Sequence, residues 1–210
     1  LHLSIRRQRQ MCIRDRYDLV PVKLEGVKIV ISNTNSPRKL DAGVYNQRVA
    51  ECQTAVKEIS RFKPVRMLVE CSMDEFKEIE DKFEDVVAMK RARHVISEIE
   101  RTKEAVEELK NSNLKRFGEL MNASHESLRI DYEVTSLELD TMVEEAWKIE
   151  GVIGSRMTGG GFGGCTVSLV EDDSVETFIE QVGENYTIKT GLKPEFYVAC
   201  LLYTSPSPRD

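Results

Sequence analysis

The sequence predicts an α+β domain in which helices pack on a largely antiparallel sheet. Two observations carry this. Short runs rich in β-branched residues stand toward the ends of the chain ("GVKIVISN" early, "CTVSLV" and "FYVA" late), while amphipathic helical patterns fill the middle. Strands and helices therefore do not alternate, as the βαβ units of a parallel sheet would require.

Each element has its own warrant. Residues 26–33 form an apolar run bounded by Gly26 and Asn33 and read as a buried strand. A polar turn, "TNSPRKLDAG", leads into a helix over 45–61 with Val49, Cys52, Val56 and Ile59 on one face. Ser72 followed by Glu75 is a capping-box signature for a short helix. A long charged helix is expected over 85–110, with Val95, Ile99, Val106 and Leu109 pointing inward. Two further helices fit 114–130 and 137–148, the second opened by Thr135 with Glu138. After a glycine-rich loop come a strand over 165–170, a helix over 174–190 ended by Gly191, and a last strand over 196–199.

Composition narrows the function classes. The 210 residues carry a net charge of −6 and ordinary apolar content, which suits a globular protein and argues against a general nucleic-acid binder, since that needs a basic face. No apolar run approaches the roughly 20 residues that cross a bilayer, so no membrane partner is expected. Five cysteines, an odd number without paired short spacing, point to reduced thiols and a cytoplasmic setting.

The two ends stand apart. "RRQRQMCIRDR" is strongly basic with no apolar period or cleavage site, and "CLLYTSPSPRD" is equally foreign to what precedes it. The genetic code allows the Cys200–Ser205 peptide to be the inverse complement, in another frame, of the DNA for Met11–Asp15. Both resemble translated ends of a sequencing-library adapter. The expectation is three segments: an adapter-like tail over 1–16, a single lobe over 17–199 and a second adapter-like tail over 200–210. Cys52, Cys71 and Cys165 then belong to the lobe, which is more acidic than the whole chain.

The glycine loop is the leading functional candidate. "RMTGGGFGGCTVSLV" places Gly159, Gly160, Gly161, Gly163 and Gly164 after Thr158. It lacks the Gly-Lys-Ser/Thr ending of a P-loop, and it lacks the strand–glycines–helix order of a dinucleotide fold. Residues without Cβ let a ligand approach the backbone and its N–H groups, with the Thr158 hydroxyl beside them. A tight structural turn is the other reading.

Four blocks in one order, "YNQRVAECQ", "KRARHVISEIERT", "ASHESLRIDYEVTSLELDTMVEEA" and "SRMTGGGFGGCTVSL", closely resemble the galactokinases, a branch of the sugar and metabolite (GHMP) kinase superfamily. The resemblance covers essentially all of 17–199. It implies the C-terminal lobe of a two-lobed enzyme that moves the γ-phosphoryl of ATP, with Mg²⁺, to the C1 hydroxyl of galactose. It also implies that the glycine loop (Thr158, Gly159, Gly160, Gly161, Gly163, Gly164) lines the active site and that Tyr45 contacts the sugar. No catalytic residue falls on this chain, because the family's galactose signature, ATP-phosphate loop and proposed aspartate base lie upstream of Gly26. The chain alone is expected to be inactive, and its missing N-terminal lobe is expected to leave an apolar patch uncovered.

Departures from the family pattern are Ile130 where an acid is common, Gly43–Val44 before Tyr45, and Ser136 where a cysteine is frequent. The change beside Tyr45 bears on which sugar is taken, so a kinase for N-acetylgalactosamine or a uronic acid is a competing reading. A non-enzymatic sugar sensor acting on a transcriptional partner is another. His94, His125, Cys165 and Trp147 read as structural, and 98–110 as a solvated helix face with i,i+4 charge pairs.

Overall fold

The computed structural model describes residues 24–36 and 42–199. The segments expected as tails, 1–16 and 200–210, and part of the polar turn before the first helix lie outside the described residues. Gly26, in a left-handed conformation, turns the chain into β1 (Val27–Asn33). Helix α1 (Ala42–Ser60) follows. The short α2 (Met73–Lys77) carries the expected capping box: Ser72 Oγ accepts from the Glu75 N–H at 3.3 Å, and Glu75 accepts from the Ser72 N–H at 2.9 Å. Helix α3 (Val86–Lys110) starts where Asp85 accepts from the N–H groups of Val87 and Ala88.

Helix α4 (Leu114–Ser127) widens into a π-helical turn over Leu128–Tyr132 and stops at Glu133, which is left-handed. Helix α5 (Leu137–Ala146) is capped by Ser136, whose hydroxyl accepts from the Leu139 N–H. Thr135, expected to open it, instead donates to Asp140. Strands β2 (Val152–Thr158) and β3 (Cys165–Glu171) flank the glycine loop, α6 (Val175–Thr190) ends at left-handed Gly191, and β4 (Glu195–Ala199) closes the fold.

The sheet order is β2-β3-β1-β4 with every neighbouring pair antiparallel. β1 and β2 thus run the same way with β3 between them, an elaborated β-α-β-β-α-β arrangement. The expected α+β class holds. One sheet face buries Val30 and Val170 against Met142 and Ala146 of α5 and Phe178, Val182 and Tyr186 of α6. On the other face α4 lies across β2, where Met121 and Phe117 meet Leu169 and Ile153. A separate core joins α1, α2 and α3 around Ile59, Phe76, Ala92 and Ile96.

Several expectations are corrected. β2 was not anticipated. On α3 the buried residues are Ala88, Arg91, Ala92, His94 and Ile96, whereas Val95, Ile99, Val106 and Leu109 are only half-buried. An arginine and a histidine turn inward there because polar partners wait for them, which rotates the buried stripe. Trp147 is half-buried rather than core, with its indole N–H donating to Asn122 Oδ1 at 2.6 Å. Cys165 is likewise half-buried. The charge pairs along 98–110 include Glu98–Arg101 and Glu107–Lys110, both spaced i,i+3. Among the described residues no helix is long and apolar enough to cross a membrane.

Candidate functional site

The glycine loop joins β2 to β3 and is pinned at two points. The Phe162 N–H donates to the Val134 carbonyl at 2.8 Å, and Gly161 sits so close that a Cβ there would lie 1.9 Å from that same oxygen. At the far end the Gly164 carbonyl accepts from both the N–H (2.9 Å) and the hydroxyl (2.6 Å) of Thr34, just beyond β1. Thr34 is held in turn by Tyr186 of α6, whose hydroxyl donates to the Thr34 carbonyl at 2.8 Å.

Between these anchors and β2, the loop is open. Thr158, Gly159 and Gly160 are exposed, and a Cβ at Gly159 or Gly160 would meet nothing within 4 Å. Gly159, Gly161, Gly163 and Gly164 all have positive φ, which explains glycine at these four on backbone grounds alone. Gly160 has neither a positive φ nor a close neighbour, so nothing within the described residues demands glycine there. A loop fixed at its shoulders, with an unobstructed glycine at its tip, can take an anionic or polyhydroxyl group against its backbone.

Tyr45 stands in the first turn of α1, 74% exposed. One turn on, Arg48 donates to the carbonyls of Tyr132 and Glu133, both at 2.8 Å. Arg91 of α3, only 1% exposed, donates to Glu51 at 2.6 Å, to the Asp131 carbonyl at 2.5 Å and to Glu133 at 2.8 Å. Two arginines thus satisfy three successive carbonyls where the turn after α4 ends. Hydrogen bonds from Arg91 and Lys90 hold the Glu133 carboxyl at about 2, well below its ordinary range. For Arg91, burial pulls the guanidinium down but Glu51 and Glu133 outweigh it, and its pKa is raised. Sequence reasoning missed Arg48, Glu51, Arg91 and Glu133, since each reads as an ordinary helix-surface charge until the turn over 128–132 brings carbonyls to them.

His94 and His125 are buried. His125 accepts the Met157 N–H at Nδ1 (3.2 Å) and so steadies β2 just before the loop. His94 hydrogen-bonds Ser127 at 2.9 Å and stacks on Tyr132 with ring centroids 4.4 Å apart. Burial pulls its imidazole down to about 4; Glu98 and Asp131 oppose that shift, while Arg101 and Arg156 add to it. Between pH 6.5 and 4 the unfolded chain therefore binds a proton here that the native chain does not, so stability falls as acid is added. We expect this ring to remove on the order of 2–3 kcal/mol between pH 7 and 4. Urea unfolding at the two pH values should show that loss shrinking in His94→Gln. A variant as acid-sensitive as the parent would refute the assignment.

Comparison with known proteins sets this geometry in context. Residues 105–188 match the family "GHMP kinases C terminal". The galactokinase of Clostridium beijerinckii is 48% identical over 190 residues, covering 90% of this chain and 49% of that protein. That of Fusobacterium nucleatum is 50% identical over 189 residues, with the same coverages. The solved structure of Lactococcus lactis galactokinase complexed with galactose superposes with a TM-score of 0.85 at 47% identity, covering 90% of this chain and 48% of that one. Over nine-tenths of its length the chain is thus similar to one half of a galactokinase, and residues 105–188 resemble the C-terminal domain of the GHMP kinases. It spans about half the length of the curated galactokinases it matches.

Proposed function

We propose that the chain is the C-terminal lobe of a cytoplasmic galactokinase, contributing one wall of a site where ATP phosphorylates galactose at C1. The observation that carries this is the glycine loop. It is held rigid by Val134 and Thr34 yet bare at Gly159 and Gly160, in a fold that superposes on a galactokinase complexed with galactose. In the reaction the bond between the γ-phosphorus and its bridging oxygen breaks, a bond from the sugar O1 forms, and the hydroxyl proton passes to a base. This chain's part is to bind and orient: loop N–H groups toward phosphate and sugar oxygens, the Thr158 hydroxyl beside them, and Tyr45 against the sugar.

The base and the ATP-phosphate loop belong to the N-terminal lobe. That lobe is the partner for the apolar groove of about 450 Å³ lined by Val49, Met67, Val69, Val95, Ile99 and Tyr132, which lies along the helix bearing Tyr45.

Two proteins test the reading: the chain alone, and residues 24–199 joined to the upstream half of the Clostridium beijerinckii galactokinase. With ATP, Mg²⁺ and galactose, only the joined protein should yield galactose 1-phosphate, and N-acetylgalactosamine should be the poorer substrate. Product from the chain alone, or a folded but silent joined protein, would overturn the proposal.

A further inference from the structure

We propose that Arg48, Glu51, Arg91 and Glu133 are positioning residues that lock the helix bearing Tyr45 to the glycine loop. The proposal rests on the reading of those two elements as walls of one ligand site, and it names what fixes their separation. The path is continuous. Arg48, one turn after Tyr45 on α1, grips the Tyr132 and Glu133 carbonyls. Its Nη1 also meets the Glu51 carboxylate at 3.0 Å, and Glu51 binds Arg91. Arg91 takes the Asp131 carbonyl and the Glu133 carboxylate, which Lys90 also holds at 2.9 Å. The next residue, Val134, offers the carbonyl against which Gly161 packs and to which Phe162 donates.

The network's chemistry suits positioning better than simple stabilisation. A nearly fully buried arginine is costly to desolvate, and an apolar core of equal volume commonly serves stability as well. What charged hydrogen bonds add is direction. Guanidinium forks fix the carbonyls of residues 131–133 in orientation, and that orientation aims the Val134 carbonyl at the loop. Glu133 adopts a positive φ of 53°, unfavourable for a residue with a Cβ, and its two cationic partners hold it there.

The test reads the loop while changing residues that do not touch it. Amide hydrogen exchange is followed by NMR on the 210-residue chain carrying Arg48→Met or Glu133→Gln, both at partly exposed positions chosen because Arg91 variants risk misfolding. We expect the Phe162 amide to exchange about tenfold faster in each variant, as loss of a charge-assisted bond loosens a local unit. Sheet amides of Ile31 and Val167 should keep the parental rate, and Arg48→Lys should restore part of the protection. A Phe162 amide unchanged in both variants overturns the proposal, as does equal acceleration of every amide, which would mean general destabilisation. Because no sugar or nucleotide is present, a joined protein that fails to phosphorylate galactose leaves this result standing. Loss of the linkage, in turn, leaves the kinase test untouched.

Discussion

An alanine at position 118 is expected to cost the chain about 3 kcal/mol and to lower its melting temperature by about 10 °C. Gly118 is the point where α4 rests on β2. A Cβ there would lie 2.1 Å from the Ile153 carbonyl oxygen and 2.5 Å from its carbon, both backbone atoms that cannot rotate aside. The strand offers no relief, since Gly154 is already without a side chain where it faces the Gly118 Cα. Helix and strand must separate, which opens the packing of Phe117 and Met121 on Ile153 and Leu169 and pulls at the bond from the Ser155 N–H to Asn122 Oδ1. Calorimetry and urea titration give the value. A variant within about 1 kcal/mol of the parent would mean that this contact is looser than described.

Gly161→Ala should behave differently, although the clash at 1.9 Å is closer. Keeping the loop docked would cost an alanine about 1–3 kcal/mol for its positive φ of 84°, with the overlap on the Val134 oxygen added to that. What holds the loop on this side is one backbone hydrogen bond of about 1 kcal/mol and the partial burial of Phe162. The strain exceeds the grip, so the loop lets go and the fold survives. We expect a global loss of only about 1–2 kcal/mol, with protection of the Phe162 amide abolished. In the joined protein, galactose phosphorylation should fall by about a hundredfold or more, as a misplaced binding wall predicts. A fully protected Phe162 amide in the variant would sink this account.

Much of the fold was legible because ordinary signals were intact. β1 and β3 carry β-branched runs, the Ser72–Glu75 box is in plain view, and Gly191 marks the end of α6. β2 escaped notice for a physical reason: "VIGSRMT" is built to fit its neighbours rather than to look like a strand. Gly154 is there because Gly118 presses on it, and Ser155 because its hydroxyl meets Ser168 inside the sheet at 2.8 Å. On α3 the stripe read from Val95 and Ile99 met only the half-buried edge of the packed face, because hydrophobicity alone cannot anticipate a buried arginine. The candidate site divides in the same manner. Glycines crowded into six residues announce a loop with a purpose, whereas the charges that hold it stand on α1, α3 and the turn after α4, far apart in sequence.

The order of the strands bears on how the chain comes to be made. β1 is the first described strand to leave a ribosome, yet it sits inside the sheet, between β3 and β4, which are the last two. Until β3 is synthesised, Ile29, Val30 and Ile31 have no hydrogen-bonded neighbour on either side, while five helices emerge behind them. Such long-range pairing is slow to form, and an apolar strand with both edges bare is a template for association with other chains. The helical unit around Ile59, Phe76 and Ile96 can collapse early because all its parts are close in sequence, but the sheet closes only at the end. Nascent-chain survival should therefore depend on holding factors that shield one seven-residue segment until β3 is made.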